Sequence, residues 1–408
     1  MFDSLFSAGS TVALPAWAAL GAAPWLGRAK PVIWVTTGLV IPVGLGLAYW
    51  WLMATYWSAA GGGYSSLSAV HALFQHPGLL TAGWFHYLAF DLFVGTWIAR
   101  EGERAGIAPV LLIPCFALTF LFGPVGLLAF LALRVAPACM ALARELHRRQ
   151  PQLAWFGSLL LAAMMPALVA AWLDPRTVNG IGVWVKPLKF MASVSLYALT
   201  TAWLLGDLPR ERRGGRIERA IVAVVIATGV FEIGYITLQG ALGQASHFNS
   251  DSTFHIVMYS LMGVGALSLS GTTLPLAWLF ARHGDALAAP YRLAVVLGLV
   301  LTFVAGAGAG IAISQHGGST IGAIVGGATL PLFGWSATAG DLRVPHFLGI
   351  HAQQMLPLAG ALISMSLMPW GRAAVWLLTG LYAMLILWTF SLAYAGVPLI
   401  SFGLQPAA

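Results

Sequence analysis

Unbroken apolar runs of about 18 to 28 residues recur along the whole chain, each long enough to cross a hydrocarbon layer roughly 30 Å thick. No soluble domain tolerates so many. With 59% hydrophobic and 8% charged residues, the chain lies far outside the composition of soluble proteins. The expected fold class is therefore all-α: a polytopic helical membrane protein of about 11 transmembrane helices, with possible re-entrant segments. The expected partner is the lipid bilayer.

Spans are expected near 11–27, 32–56, 79–99 and 107–133, then near 153–173, 184–205, 218–242, 254–281, 291–314, 344–368 and 372–396. Between the second and third, "GGGYSSLSAVHALFQHPG" is amphipathic in its middle and too short to cross, as in an interfacial or re-entrant helix. The basic stretch "RVAPACMALARELHRRQPQ" is the best boundary. It predicts a four-helix domain over 1–135, a basic linker over 136–152 and a seven-helix domain over 153–408. The N-terminus lacks the basic start of a cleaved signal, so the first run reads as a retained helix.

The net charge of +7 does not point to nucleic acid, because Lys and Arg gather in short loops, as membrane orientation requires. In the second part "RERRGGRIER", Arg282 with Arg292, and Arg372 fall in alternate loops, which sets those loops and 134–152 inside. The first part fits badly: Arg28, Lys30, Arg100 and Arg104 fall in loops that four crossings place outside. The Ala/Gly-rich composition hints at a bacterial chain and its cytoplasmic membrane. Two cysteines, Cys115 and Cys139, make no disulfide scaffold and no Cys-x-x-Cys knuckle.

With the second part so oriented, polar residues collect at its outer side. Asn179, Lys186 and Lys189 open its second helix. Glu232 and Gln239 share one face of the next, seven residues apart. His247, Asn249 and His255, with Asp251, lie in the following outer loop and helix start, and Asp341, Arg343, His346 and His351 open the sixth helix. Ionisable groups in a bilayer are costly unless they face a cavity or each other. Several at one depth predict a shared polar pocket. The plainer account is that Lys186 and Asp341–Arg343 snorkel to water as flanking charges do.

No metal site is assigned. His346 and His351 are separated by about 140° round a helix and do not easily share an ion, and His247 with His255 needs a third ligand from elsewhere. A haem between His351 and His255 is a formal alternative without an attachment motif. The glycine-rich "FVAGAGAGIAISQHGGSTIGAIVGG" follows no strand, so it reads as close helix packing and not as a nucleotide loop. Residues 315–342 are expected to form a re-entrant or loosely helical outer element.

In the first part, "HYLAFDLFVGTW" sets His86 and Asp91 inside an apolar helix. A carboxylate at mid-span costs about 2.5 to 3.5 kcal/mol on insertion scales, and such a medium favours the neutral acid, which can give or take a proton. Tyr87 shares the face of Asp91; His86 points about 140° away. In the next span "LTFLFGPVGLL" predicts a kink: Pro124 removes the amide that would bond the Phe120 carbonyl, leaving that carbonyl and the Thr119 hydroxyl at mid-membrane. Asp91 is then either glue, bonding Thr119 or that carbonyl across two spans, or a functional acid. Both readings stand.

"HYLAFDLFVGTWIAREGERAGI" followed by "PCFALTFLFGPVGLLAFLALR", with "YSSLSAVHALFQHPGLLTAGW" before them, resembles the abscisic-acid-deficient-four-like family of membrane proteins, whose plant members are linked to neoxanthin synthesis. The resemblance covers the first third. It implies a small four-helix domain tied to carotenoid chemistry, with violaxanthin isomerised to allenic neoxanthin and no cofactor. The matched polar positions are His86, Asp91, Thr119 and Arg134; the seven-helix remainder resembles no named family.

The leading expectation is thus a membrane enzyme of the isomerase type acting on a carotenoid or related polyene, with Asp91 and His86 in general acid and base roles and Tyr87, Thr119 and Arg134 as binding candidates. The alternatives are a non-enzymatic binder or transporter that holds a pigment, lipid or ion in the outer pocket, and a haem-bearing redox protein.

Overall fold

The computed structural model describes residues 1–322, 327–330, 333–366 and 369–400, and the chain divides into two compact units, Met1–Leu142 and Ala143–Ala408. Among the described residues nine helices are long and apolar enough to cross a membrane. The all-α membrane class holds; the count of 11 is not reproduced, and three of the expected spans explain the difference.

The first unit begins with α1 (Phe2–Ala22). A short α2 (Lys30–Val35) runs through a π turn at Thr36–Val40 into α3 (Ile41–Tyr56), making one span. The amphipathic stretch forms α4 (Leu67–Phe74), capped by the Ser66 hydroxyl, and α5 (Pro77–Arg104) follows. At 28 residues α5 is long enough to cross, but its His, Asp and terminal charges keep it out of the strongly apolar set. Small residues let the others close on it. Gly9 admits the Phe85 ring, Gly95 the Trp17 ring, and Gly38 of the π turn lies on Thr96. The buried Thr96 hydroxyl donates to Thr37, 2.8 Å away, tying that turn to α5.

The expected span 107–133 does not exist as one helix. The chain forms α6 (Pro109–Phe122), reverses at Gly123 and leaves as α7 (Pro124–Arg149). Gly123 has φ +50° and ψ −100°, a conformation that glycine alone adopts readily, and Pro124 suits the first turn of the new helix. The register proves the reversal. Along α5, Gly102 meets Leu112 and Tyr87 meets Phe120, so α6 runs antiparallel to it. Asp91 then meets Gly123, Trp97 meets Phe130 and Glu101 meets Arg134, so α7 runs back parallel to it. Gly126 lies so close to the Thr119 backbone and the Cys115 carbonyl that a Cβ there would collide with both. The two helices are a re-entrant hairpin whose tip reaches the midpoint of α5. By length and apolarity alone α7 qualifies as a span; the register overrules that, since its first half only climbs from Asp91 to Glu101.

This resolves the orientation conflict. Lys30 pairs with Glu103 at 2.5 Å, and Arg104 and Arg134 both pair with Glu101. The basic ends of α2, α5 and the hairpin therefore share one side, as the positive-inside rule asks. With three crossings in place of four, Arg28, Lys30, Arg100 and Arg104 join the side of the 134–152 run. That run is the second half of α7, so the expected linker is helical.

The second unit comprises α8 (Pro151–Leu173), the hairpin β1 (Thr177–Val178) and β2 (Ile181–Gly182), α9 (Val185–Leu205), α10 (Arg216–Leu242), α11 (Thr253–Gly271) and α12 (Thr273–His283). Then come α13 (Ala289–Leu301), a π turn at Thr302–Ala307, α14 (Gly308–His316), β3 (Thr320–Ile321) and β4 (Gly340–Asp341). It ends with α15 (Arg343–Ile350), α16 (Ala352–Met365) and α17 (Gly371–Tyr394). Its core joins Leu153 and Phe156 of α8 to Val194, Ala198 and Leu205 of α9, Val225 of α10, Phe280 of α12 and Leu299 of α13. Gly157 lets α9 approach until Ser195 donates to its carbonyl at 2.8 Å.

The expected sixth span, 344–368, is broken at His351 into α15 and α16; residues 367–368 lie outside the described residues. The outer element 315–342 is not helical over its described part beyond His316. It is a loop closed by β3 on β4 and by a bridge between Thr329 and Ser336. Residues 323–326 and 331–332 of it lie outside the described residues.

Candidate functional site

The hairpin tip is built against Asp91. A Cβ on Gly123 would sit 3.0 Å from the Asp91 carboxyl, so the bare glycine makes room for the acid at the depth where α6 ends and α7 begins. The Asp91 Oδ2 is buried and accepts no hydrogen bond among the described residues. Tyr87, one turn earlier, donates to the Phe120 carbonyl at 2.9 Å. This is the carbonyl that Pro124 was expected to free; Tyr87 takes it, while Thr119 bonds back to Cys115 at 2.8 Å. Asp91 therefore has neither of the partners that the glue reading gave it.

Above Asp91 on the same face of α5 come Tyr87 and Trp84. Their rings stack at 5.3 Å and 20°, Phe6 of α1 continues the row at 5.1 Å from Trp84, and Ser10 fixes the indole by accepting its N–H at 3.0 Å. An aromatic strip thus leads from one end of the unit to a half-buried carboxyl. Trp84 and Phe6 were not anticipated; the signal was the spacing 84, 87, 91, one helix face. His86 is not brought to Asp91. It is exposed and stacks on Phe90 at 4.5 Å, with Tyr49 at 5.7 Å. Arg134 stands in the ion pair with Glu101, away from the tip.

Tyr87→Phe tests the local chemistry. It leaves the Phe120 carbonyl without a donor in a setting without water, and the expected loss is about 1–3 kcal/mol, read as a lower Tm in detergent. A variant as stable as the parent would show that the tip needs no such donor.

In the second unit the candidate residues separate into two groups. Most are spent on the fold. Asn179, at φ +52°, turns the β1–β2 hairpin with Gly180, the pairing that two-residue hairpins favour. Asn249 closes its own loop on Ala245 and Asp251. The Ser252 hydroxyl that caps α11 lies 3.2 Å from His255. Lys189 donates to the Phe333 carbonyl at 2.7 Å. Asp341 binds Arg343 and the Ser336 amide, which shapes the loop and corrects the snorkelling account for that pair: Asp341 is buried. His346 bonds the Gly306 carbonyl of the π turn at 2.9 Å, and His351 bonds Gln354 at 3.3 Å. No contact joins His351 to His255 among the described residues, and no three His, Cys, Asp or Glu side chains there converge on a metal position.

Of the remaining candidates, Lys186 lies within electrostatic reach of both Glu232 and His247, and Gln239 shares a face of α10 with Glu232. The imidazole of His247 stands between Phe190 and Tyr259, 5.9 Å from each ring. Burial first, and the Lys186 ammonium second, push it down to about 3 from 6.5. A depressed histidine gives stability that is complete above its unfolded value and is lost as pH falls through the window from about 6.5 to about 3. The parent should therefore lose Tm across that window, and His247→Gln should flatten that part of the slope. An unchanged slope in the variant would remove His247 from the acid response.

The architecture defines a polytopic helical membrane protein with an acid on α5 that faces the tip of a re-entrant hairpin. Residues 4–130 match the family model described as ABA DEFICIENT 4-like, so the N-terminal third has its counterpart in a family linked to neoxanthin synthesis. No curated protein and no solved structure matches the chain. That link is to plants and lends no support to a bacterial cytoplasmic membrane; the spans establish a membrane protein.

Proposed function

We propose that the first unit is an isomerase-type enzyme acting on a carotenoid or related polyene, with Asp91 as its general acid and base. The observation that carries this is the buried, unpartnered Asp91 Oδ2 beneath the aromatic strip of Tyr87, Trp84 and Phe6. The resemblance of the N-terminal third to the ABA DEFICIENT 4-like family supports a carotenoid as the substrate class. A flat polyene end group lying on stacked rings presents its oxygen to the carboxyl. Opening an epoxide to an allene delivers one proton to the epoxide oxygen and removes one from the neighbouring polyene carbon. A protonated Asp91 gives the first, and its carboxylate takes the second, so acid and substrate composition are both restored. Tyr87, held on Phe120, replaces His86 as the residue beside the acid; Thr119 keeps the tip in register.

A binding reading placed in the first unit, and not in the outer pocket expected of the second, has one observation of its own. An apolar groove of about 460 Å³ between α1 and α2, lined by Thr11, Val12, Ala16, Val32, Ile33 and Thr37, suits an acyl chain or pigment and offers no acid. One experiment separates the two. Pigments are extracted from a carotenoid-producing host with and without the gene. A new isomer supports the enzyme; an unchanged pigment set with a carotenoid band on the purified protein supports the binder and ends the catalytic reading.

A further inference from the structure

The leftover polar groups of the second unit form a set of their own. Glu232, Tyr235 and Gln239 lie at positions i, i+3 and i+7 of α10, one face of the helix, and all three are at least nine-tenths buried. Among the described residues the Glu232 Oε1, the Tyr235 hydroxyl and the Gln239 Oε1 have no hydrogen-bond partner. Gly265 of α11 stands where a Cβ would lie 2.9 Å from the Glu232 carboxyl, so the glycine keeps space open beside the acid. Lys186 at the start of α9 lies within electrostatic reach of Glu232 and of His247, yet makes no ion pair among the described residues; its ammonium hangs 5.9 Å over the Phe190 ring. The surrounding wall is apolar and polarisable: Phe190, Phe231, Met258 and Met262 pack with Tyr235 and Ile236.

Buried donors and acceptors left unmade are costly, and proteins hold them where a ligand satisfies them. The chemistry of the set narrows the ligand. One cation and one anion balance, so a charged guest meets as much repulsion as attraction. Ammonium donors and carboxylate, amide and phenol oxygens stand free together, so the guest must both donate and accept at one point. A hydroxyl does both. Aromatic and methionine side chains suit an apolar, unsaturated body.

We propose that this face of α10, with Lys186, binds a hydrophobic alcohol: its hydroxyl donates to Glu232, accepts from Lys186 and is flanked by Gln239 and Tyr235. The site is separate from Asp91, and its failure leaves the reading of the first unit untouched.

The test uses the full chain in detergent and all-trans-retinol, whose fluorescence reports binding, with retinoate and a hydrocarbon of like length as comparisons. The parent should bind the alcohol at least about tenfold more tightly than the carboxylate or the hydrocarbon. Glu232→Gln, nearly isosteric, and Lys186→Met should each weaken retinol binding by about tenfold or more. The double variant Lys186→Met/Glu232→Leu removes two charges that form no ion pair among the described residues, so its ligand-free Tm should stay level or rise while the retinol-induced Tm shift disappears. Displacement of retinol by hexadecanol supports the site as well. Equal binding of alcohol and hydrocarbon, undiminished binding by the double variant, or a lower ligand-free Tm in both Glu232→Gln and the double variant would overturn the proposal, the last by making the cluster structural.

Discussion

Asp91→Asn is expected to lower polyene conversion by about 10²–10⁴-fold, the span that a positioned proton donor contributes, while the protein accumulates to the parent level. The substitution preserves shape. Asn fits against Gly123 as Asp does, and no hydrogen bond is lost at Oδ2, which has none. What disappears is the proton. Pigment extracts of a carotenoid-producing host, normalised to the amount of protein in the membrane, measure it. Conversion within about threefold of the parent would remove Asp91 from the chemistry. A fall in protein amount in step with conversion would show that the carboxyl serves stability. Asp91→Leu separates these further: an acid with a buried oxygen left unsatisfied costs more to bury than leucine, so a catalytic acid gives a variant that is inactive and no less stable.

The spans were legible because a membrane helix announces itself by length and apolarity, and α8, α9, α10 and α17 lie close to their expected limits. Turns inside an apolar run were not. Hydropathy does not register a break inside an apolar run, so 107–133 read as one span and 344–368 as another. The signal for the first was present in Gly123-Pro124 with Gly126: a left-handed position, a helix starter and a residue small enough for contact. It was read as a kink because a kink needs only the proline.

The site was legible in part, for a related reason. Asp91, Tyr87, Glu232 and Gln239 stood out as polar residues in lipid, whereas Tyr235, Trp84 and Phe190 did not, since aromatic residues are ordinary there. Only their helical spacing from the acids distinguished them. Asn179 was overread: Asn-Gly between Val178 and Ile181 is a turn signal first, and the structure uses it so. His86 stood out for the same reason as Asp91, but the structure stacks it on Phe90 and does not bring it to the acid.

The hairpin predicts a large stability effect at one small residue. Gly126→Leu places a side chain into the Thr119 backbone and the Cys115 carbonyl, which cannot move aside without opening the tip. Overpacking of side chains costs about 1–3 kcal/mol; against backbone the expected loss is about 3 kcal/mol or more, seen as loss of folded protein or a strongly lowered Tm. Gly44→Leu in α3, where nothing lies within 4 Å, should be nearly neutral and controls for bulk. Topology gives a second readout. Cys139, exposed on α7 beyond Arg134, should react with an impermeant maleimide from the same side as a cysteine placed at Ala105, just past the end of α5. Labelling from opposite sides, or a Gly126→Leu protein as stable as its parent, would mean that 107–133 crosses the membrane after all. In that case the tip would not face Asp91, and the acid would lose the glycine-lined space on which its chemistry depends.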